Sequence, residues 1–207
     1  MLFVFIGTSS LEVSAQKRTV AGVAFPAKSF VNGESLVYNG AGLREKYTFD
    51  LYVGALYLKR PSLDANKIIN DDSEMGIHLE LVSDKVTREK FVESVTEGFE
   101  NSSHGKATQA QINMFMEFFK NEFKDGDKIN MDYTPGKGVV IKVNRAKIGV
   151  IPGLDFKKAI FSIWLGTKSP VLRECATFLC WRNSTFVETS LLVLKTSPFS
   201  TPSPTST

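Results

Sequence analysis

Residues 38–61 read YNGAGLREKYTFDLYVGALYLKRP, and the fold turns on how this stretch is read. From Tyr47 onward apolar side chains fall on both parities. Tyr47, Phe49, Leu51, Val53, Ala55 and Tyr57 share one face of an extended chain, and Tyr52, Leu56 and Leu58 the other. A strand that is apolar on both faces is covered on both faces, so this is a central strand. Gly54 inside it predicts a bulge or a close approach. The preceding glycines, Gly33, Gly40 and Gly42, predict a turn that delivers Arg44 to the mouth of the apolar segment.

Outward from this strand the punctuation is regular. Residues 19–38 give short extended pieces broken at Asn32-Gly33. SLDANKIINDD predicts a short helix with Ser62 as N-cap, and GIHLELVS alternates as a strand. TREKFVESVTEGFEN places Phe91, Val92, Val95 and Phe99 on one helical stripe behind a Thr87 cap. Thr108 and Gln111 form a capping-box pattern. The helix after them carries Ile112, Phe115, Met116, Phe119 and Phe123 and ends at Asp125–Asp127. Residues 128–153 form an antiparallel meander turning at Pro135-Gly136 and near Asn144. LDFKKAIFSIWLG then closes the series as a helix stopped by Gly166. This order predicts an α+β fold, a large antiparallel β-sheet with a layer of helices mainly on one face.

The 207 residues suffice for one domain with extensions, and a hydrophobic content of 43% supports a packed core. A net charge of +3, dispersed along the chain, gives no reason to expect a nucleic-acid partner. No run of about 20 apolar residues predicts a transmembrane helix. Cys175 and Cys180 lie outside the body, and His78 and His104 stand alone, so neither a metal site nor a cofactor is expected. The apolar Leu2–Ile6 and the small-residue Val13-Ser14-Ala15 give residues 1–15 the look of the back half of a signal peptide. Export to a periplasm or the exterior is the corresponding expectation. The body then spans residues 16–172. Residues 173–207 lose all periodicity, end in Ser, Thr and Pro, and read as a disordered tail in which the two cysteines can pair if the protein is exported.

Several motifs carry no chemistry. Gly136-Lys137-Gly138 precedes a strand and lacks the Ser or Thr and the helix of a phosphate loop, so it is a hairpin turn. Asn101 and Asn183 match a glycosylation pattern by composition only. Glu93 and Glu97 fall on a polar helix face. Ser162 has no His–Asp pair behind it, and His104 in its inter-helix loop is a solvated side chain or a base. Arg44 is different. A guanidinium beside apolar surface requires an acceptor, because an unpaired buried charge is costly. Either Glu45 or Asp50 supplies it, or a ligand carboxylate or enolate-like oxygen does, with Tyr52 adding a phenol donor.

The ordered series NGAGLREKYTFDLYVGALYL, EGFENS, INMFMEFF, GDKINMDYTPGKGVVIKVN and GVIPGLDFKKAIFSIWLG resembles the chalcone isomerase-like family, in its bacterial-type branch, from Val20 to Leu165. The resemblance implies the chalcone isomerase fold, an open-faced β-sandwich with a cleft between sheet and helices. It also implies one of two activities: closure of a chalcone to a flavanone by an intramolecular lyase, or binding of a fatty acid without catalysis. Arg44 matches the arginine that follows the family's Gly-Ala-Gly. Tyr52 stands where the isomerases carry threonine and is similar to the fatty-acid-binding relatives. His104 stands where the isomerases carry a tyrosine, Gln111 corresponds to an asparagine, and Ser162 lies beside the position of a helix Ser or Thr. The resemblance therefore implies Arg44, Tyr52 and His104 as a catalytic set, or Arg44, Tyr52, Gln111 and Ser162 as a ligand-binding set. A third possibility is an exported, non-catalytic protein that acts through a protein partner. Past IWLG relatives continue into a leucine-rich helix. This chain departs from about Ser169, as a frameshift or misread gene end would make it do.

Overall fold

The computed structural model describes residues 17–46 and 49–166. The stretch expected as a signal peptide, Tyr47, the expected tail with its cysteines, and Asn183 lie outside the described residues. Strands β1 (Lys17–Val20) and β2 (Val23–Pro26) form a separate hairpin. Seven further strands form one antiparallel sheet in sequence order: β3 (Lys28–Val31), β4 (Glu34–Lys46), β5 (Phe49–Leu58), β6 (Met75–Leu81), β7 (Lys128–Thr134), β8 (Gly138–Val143) and β9 (Ala146–Ile151). Helices α1 (Ala65–Asn70), α2 (Arg88–Glu100), α3 (Gln109–Glu117) and α4 (Leu154–Leu165) complete the fold.

Turn chemistry sets the register. Asn32 (φ 51°) and Gly33 (φ 85°) join β3 to β4, and Asn144 (φ 49°) and Arg145 (φ 73°) join β8 to β9. Both pairs have the left-handed dihedrals that a two-residue hairpin of matching twist requires.

The sheet is covered by helices on one face and, over β3–β5, by the hairpin on the other. One face carries the main core, where Leu56, Ile77, Met131 and Ile141 meet Phe91 and Phe99 of α2, Phe115 of α3 and Phe156 and Ile160 of α4. Phenylalanine rings interlock within it, with Phe91–Phe119 and Phe115–Phe119 centroids 5.1 and 5.0 Å apart in edge geometry. Each fully buried ring contributes on the order of 2 kcal/mol. On the other face the β1–β2 hairpin packs Val23 and Phe25 over Ala41, Val53, Ala55 and Tyr57. The Tyr57 hydroxyl donates to the Pro26 carbonyl at 2.9 Å and ties the hairpin down. β5 is therefore an interior strand, apolar on both faces as its sequence predicts.

The glycine-rich segment is not a turn. Gly40, Gly42 and Arg44 lie inside β4, opposite Leu56, Gly54 and Tyr52 of β5. Leu56 belongs to the helix-side core and Tyr52 packs against it, so all three β4 residues face the helices. The glycines thus leave the sheet without side chains next to the Arg44–Tyr52 pair. Gly54 is in register. The bulges fall instead at Asn39, between the Tyr38 and Gly40 pairings, and at Leu51, between the Arg44 and Glu45 pairings. Bulges re-aim side chains. Asn39 turns out to bind both the carbonyl and the N–H of Ser62, at 3.0 and 2.8 Å. Leu51 leaves the face of Val53 and packs on the helix side.

Two helix ends depart from expectation. Asp64, not Ser62, caps α1, accepting from the Lys67 N–H at 3.0 Å, while Ser62 Oγ accepts from the Asp64 N–H. Helix α3 stops at Glu117 rather than running to Asp125. The tip of the Phe118 ring instead sits against Gly149 of β9, so close that a Cβ there would lie 2.1 Å from it. Arg88 Nε takes the Phe119 carbonyl. The cap predictions at Thr87 and Thr108 hold, the latter with both halves of the capping box formed.

Helix α4 is buried almost all round, including Lys157 at 0% exposure. Its ammonium donates to the carbonyls of Ile68, Ile69 and Asp71 at 2.9, 3.0 and 2.7 Å. These are the orphan acceptors at the end of α1, so one charge from α4 terminates another helix. It also lies 5.4 Å from the Tyr133 ring centroid and 5.3 Å from that of Phe161.

Candidate functional site

Arg44 and Tyr52 are direct partners across β4 and β5. They stand at one end of a cleft of about 280 Å³ between this edge of the helix-side face and helices α2 and α4. The floor is Leu51 and Phe49, the latter 50% exposed at the mouth. Phe91 and Val95 of α2 and Ile163 and Trp164 of α4 form the walls, and Val86 closes one side. Lys85, Lys90, Glu93 and Ser94 line its solvent-facing margin. The lining is thus mainly apolar with a few polar groups, the usual composition of a small-molecule site.

The polar end is built from three side chains. Trp164, 1% exposed, donates its indole N–H to the Tyr52 hydroxyl oxygen at 3.0 Å. Burial pushes the Tyr52 phenol above its ordinary pKa, against the smaller opposing pull of the Trp164 hydrogen bond and the Arg44 charge. Tyr52 is therefore a neutral hydrogen-bond donor at physiological pH. Behind Arg44 lies a smaller recess of about 100 Å³ that shares Arg44, Ser94 and Ile163 with the cleft and adds Glu97, Asn101, Ser103 and Ser162.

The remaining residues expected at the site have other positions. Gln111 does not line the cleft. Its Oε1 accepts from the Thr108 N–H at 3.0 Å and its Nε2 donates to the Pro152 carbonyl at 2.8 Å, so both ends of the amide hold backbone together. His104 lies in the α2–α3 loop, outside the cleft lining, with Nδ1 2.9 Å from Ser103 Oγ. Ser162 borders the small recess, but its hydroxyl donates to the Ala159 carbonyl at 2.8 Å and lies 2.5 Å from Ser102 Oγ. The structure thus brings Arg44 and Tyr52 together, sets Ser162 next door, and places His104 and Gln111 elsewhere. Trp164 was expected only as a core residue; the 112-residue separation from Tyr52 leaves no local signal of their bond.

A second polar group occupies the sheet face away from the helices. Asp132, 2% exposed, lies 2.8 Å from His78 Nε2 and 2.6 Å from Lys142 Nζ. Burial raises its carboxyl, but the hydrogen bonds and charges of His78 and Lys142 outweigh that and hold it below the usual carboxylate range. Among the described residues no group of three or more His, Cys, Asp or Glu could hold a metal ion, and no helix is long and apolar enough to cross a membrane.

A family model described as chalcone isomerase-like matches residues 17–172. Among solved structures, a fatty-acid binding protein of Arabidopsis thaliana superposes with a TM-score of 0.64 at 20% sequence identity, over 79% of this chain and 96% of that chain. At that identity the likeness is one of fold. No curated protein matches the sequence.

Proposed function

The chain belongs to the chalcone isomerase-like family, and from that premise we propose that it binds a small hydrophobic molecule with an anionic head, of the fatty-acid type. The observation that carries this reading is the pairing of Arg44 with Tyr52 at one end of an otherwise apolar cleft. A guanidinium fork and a phenol O–H are suited to the two oxygens of a carboxylate. Phe49, Leu51, Phe91 and Ile163 offer the alkyl chain a surface to displace water from. That the Arabidopsis neighbour is a fatty-acid binding protein supports the same class of ligand. Of the polar groups that the resemblance assigns to an isomerase, His104 lies outside the cleft lining, which favours binding over catalysis.

The test is calorimetric titration of delipidated protein with decanoate, beside mass spectrometry of whatever organic extraction releases from it. Binding should weaken by about tenfold or more in Arg44→Ala, the loss of a charge-assisted hydrogen bond. Equal affinity in both proteins refutes the proposal. Loss of enone absorbance from an added chalcone, faster than the spontaneous rate and abolished in Arg44→Ala, would replace it with the intramolecular lyase reading.

A further inference from the structure

We propose that the β3 edge and the loop before α1 form a docking surface for an anionic lipid bilayer. Phe30 and Leu63 enter its headgroup layer, and Lys28, Arg60 and Lys67 meet its phosphates. The proposal is independent of what the cleft binds. At 67% and 60%, Phe30 and Leu63 are the most exposed large apolar side chains among the described residues. Strand pairing puts them at the same end of the molecule. Val31 and Leu36 belong to the hairpin-side core, so the alternate pairs, Lys28 with Val37 and Phe30 with Ser35, face the helix side. Lys28, Phe30 and Ser35 are exposed there, because the helical layer stops short of this edge. Val37 in turn lies opposite Leu58, the last residue of β5. The chain leaves the sheet at that point, and both hydrogen bonds of Asn39 tie Ser62 back to β4. Leu63 follows directly, at the entrance to α1.

Three cations accompany the two apolar side chains. Among the described residues Lys28, Arg60 and Lys67 form no ion pair. Arg60 and Lys67 line a groove of about 360 Å³ between the loop and α1. The acids of this end are engaged within the protein. Glu34 and Glu74 lie 3.8 and 2.5 Å from Lys59 Nζ, Asp64 caps α1, and Asp71 accepts from Ser73 Oγ at 2.6 Å. That leaves the three cations as the uncommitted charges. A folded protein partner takes about 800 Å² of contiguous contact on each side, whereas Phe30 and Leu63 project singly, from an edge strand and from a loop. Apolar tips set among cations suit a bilayer, where the tips reach the acyl boundary and each cation near the surface adds about fivefold in affinity.

The experiment is co-sedimentation of the full chain with vesicles of phosphatidylcholine, alone or with about one third phosphatidylglycerol. Wild type should bind the anionic vesicles and release them as salt is raised. Neutral vesicles should bind about tenfold more weakly or worse. Arg60→Ala combined with Lys67→Ala should weaken anionic binding about 20-fold, and Phe30→Ser or Leu63→Ser about tenfold each. These side chains lie at the surface, so circular dichroism should show each variant folded. Lys120→Ala combined with Lys147→Ala, and Ile148→Ser, exposed positions elsewhere, should bind as wild type does. Wild type that stays in solution with anionic vesicles overturns the proposal. So does equal binding to neutral vesicles, or equal loss in the control variants.

Discussion

Lys157 gives the structure an unusual alkaline signature. An ammonium at 0% exposure is desolvated, and burial lowers its pKa from 10.5 to about 8, against the raising influence of Asp71 and Asp72. Between those values the unfolded chain holds a proton that the folded chain has released. Stability therefore rises with pH, because the unfolded state binds more protons. Integrating the two titrations from pH 7 to 9 gives a gain of about 1.3 kcal/mol. Four tyrosines act the other way. Tyr38, Tyr52, Tyr57 and Tyr133 have phenols raised above 10.0 by burial, so their contribution is complete below pH 10 and is lost as pH rises beyond it. By pH 9 they subtract only about 0.2 kcal/mol in total. Urea unfolding at half-unit intervals between pH 7 and 9 should then show a net rise of about 1 kcal/mol. Lys157→Met removes the titration and leaves three carbonyls of α1 without a donor. Its curve should lie lower throughout, by about 3 kcal/mol at pH 7, and lack the rise. Wild type and variant with parallel pH dependence would refute the argument, because the ammonium would then be as well solvated folded as unfolded.

Other expectations follow from the placement of single groups. Gln111→Ala should cost about 1 kcal/mol through the lost capping box and leave decanoate affinity unchanged; a binding defect would return Gln111 to the site. Asp132 has a depressed folded pKa, so its contribution is full above pH 3.8 and is lost as pH falls through the lower folded value. Asp132→Asn should cost about 3 kcal/mol at pH 7 and remove part of the acid limb of the unfolding curve, measured by circular dichroism against pH. Gly138 has φ +102° and a Cβ there would lie 2.2 Å from the Ile151 carbonyl, whereas Gly136 has φ +72° and nothing within 4 Å. Gly138→Ala should therefore lower the thermal midpoint well beyond Gly136→Ala, whose cost is the left-handed backbone alone, about 1 kcal/mol.

The contrast between what was legible and what was not follows the range of the interactions. The meander of β7–β9, the caps at Thr87 and Thr108 and the apolar stripe of α4 depend on residues a few positions apart, and local pattern found them. The glycines before Arg44 misled because the pattern rewards side chains. A strand that exposes Gly40 and Gly42 toward the helices has nothing to alternate, and so it imitates a turn. Helix α3 kept its periodicity past Glu117 while Phe118 was drawn onto Gly149, a partner on another strand. Among the residues expected at the cleft, Arg44 and Tyr52 come together because a strand pair joins them. Gln111 lies outside the cleft lining with no local signal of that position, because an amide next to a cleft and an amide that ties two backbones look the same in sequence. Lys157 was invisible for a related reason: a lysine between Phe156 and Lys158 gives no hint that the end of α1 waits for it.

The strict sequence order of the sheet has a bearing on biogenesis. Each strand from β4 to β9 pairs with the one made just before it, so the sheet can zip up progressively while the ribosome is still adding residues. Helix α4 is synthesised after all of them, and it supplies both Trp164 to Tyr52 and Lys157 to α1. A nascent chain lacking that helix would have its floor, its arginine and the α2 wall in place, but neither the α4 wall nor the indole that bonds the Tyr52 hydroxyl. The cleft would then be completed in a single late step, and a ribosome stalled before residue 154 would display an open, greasy trough for chaperones to cover.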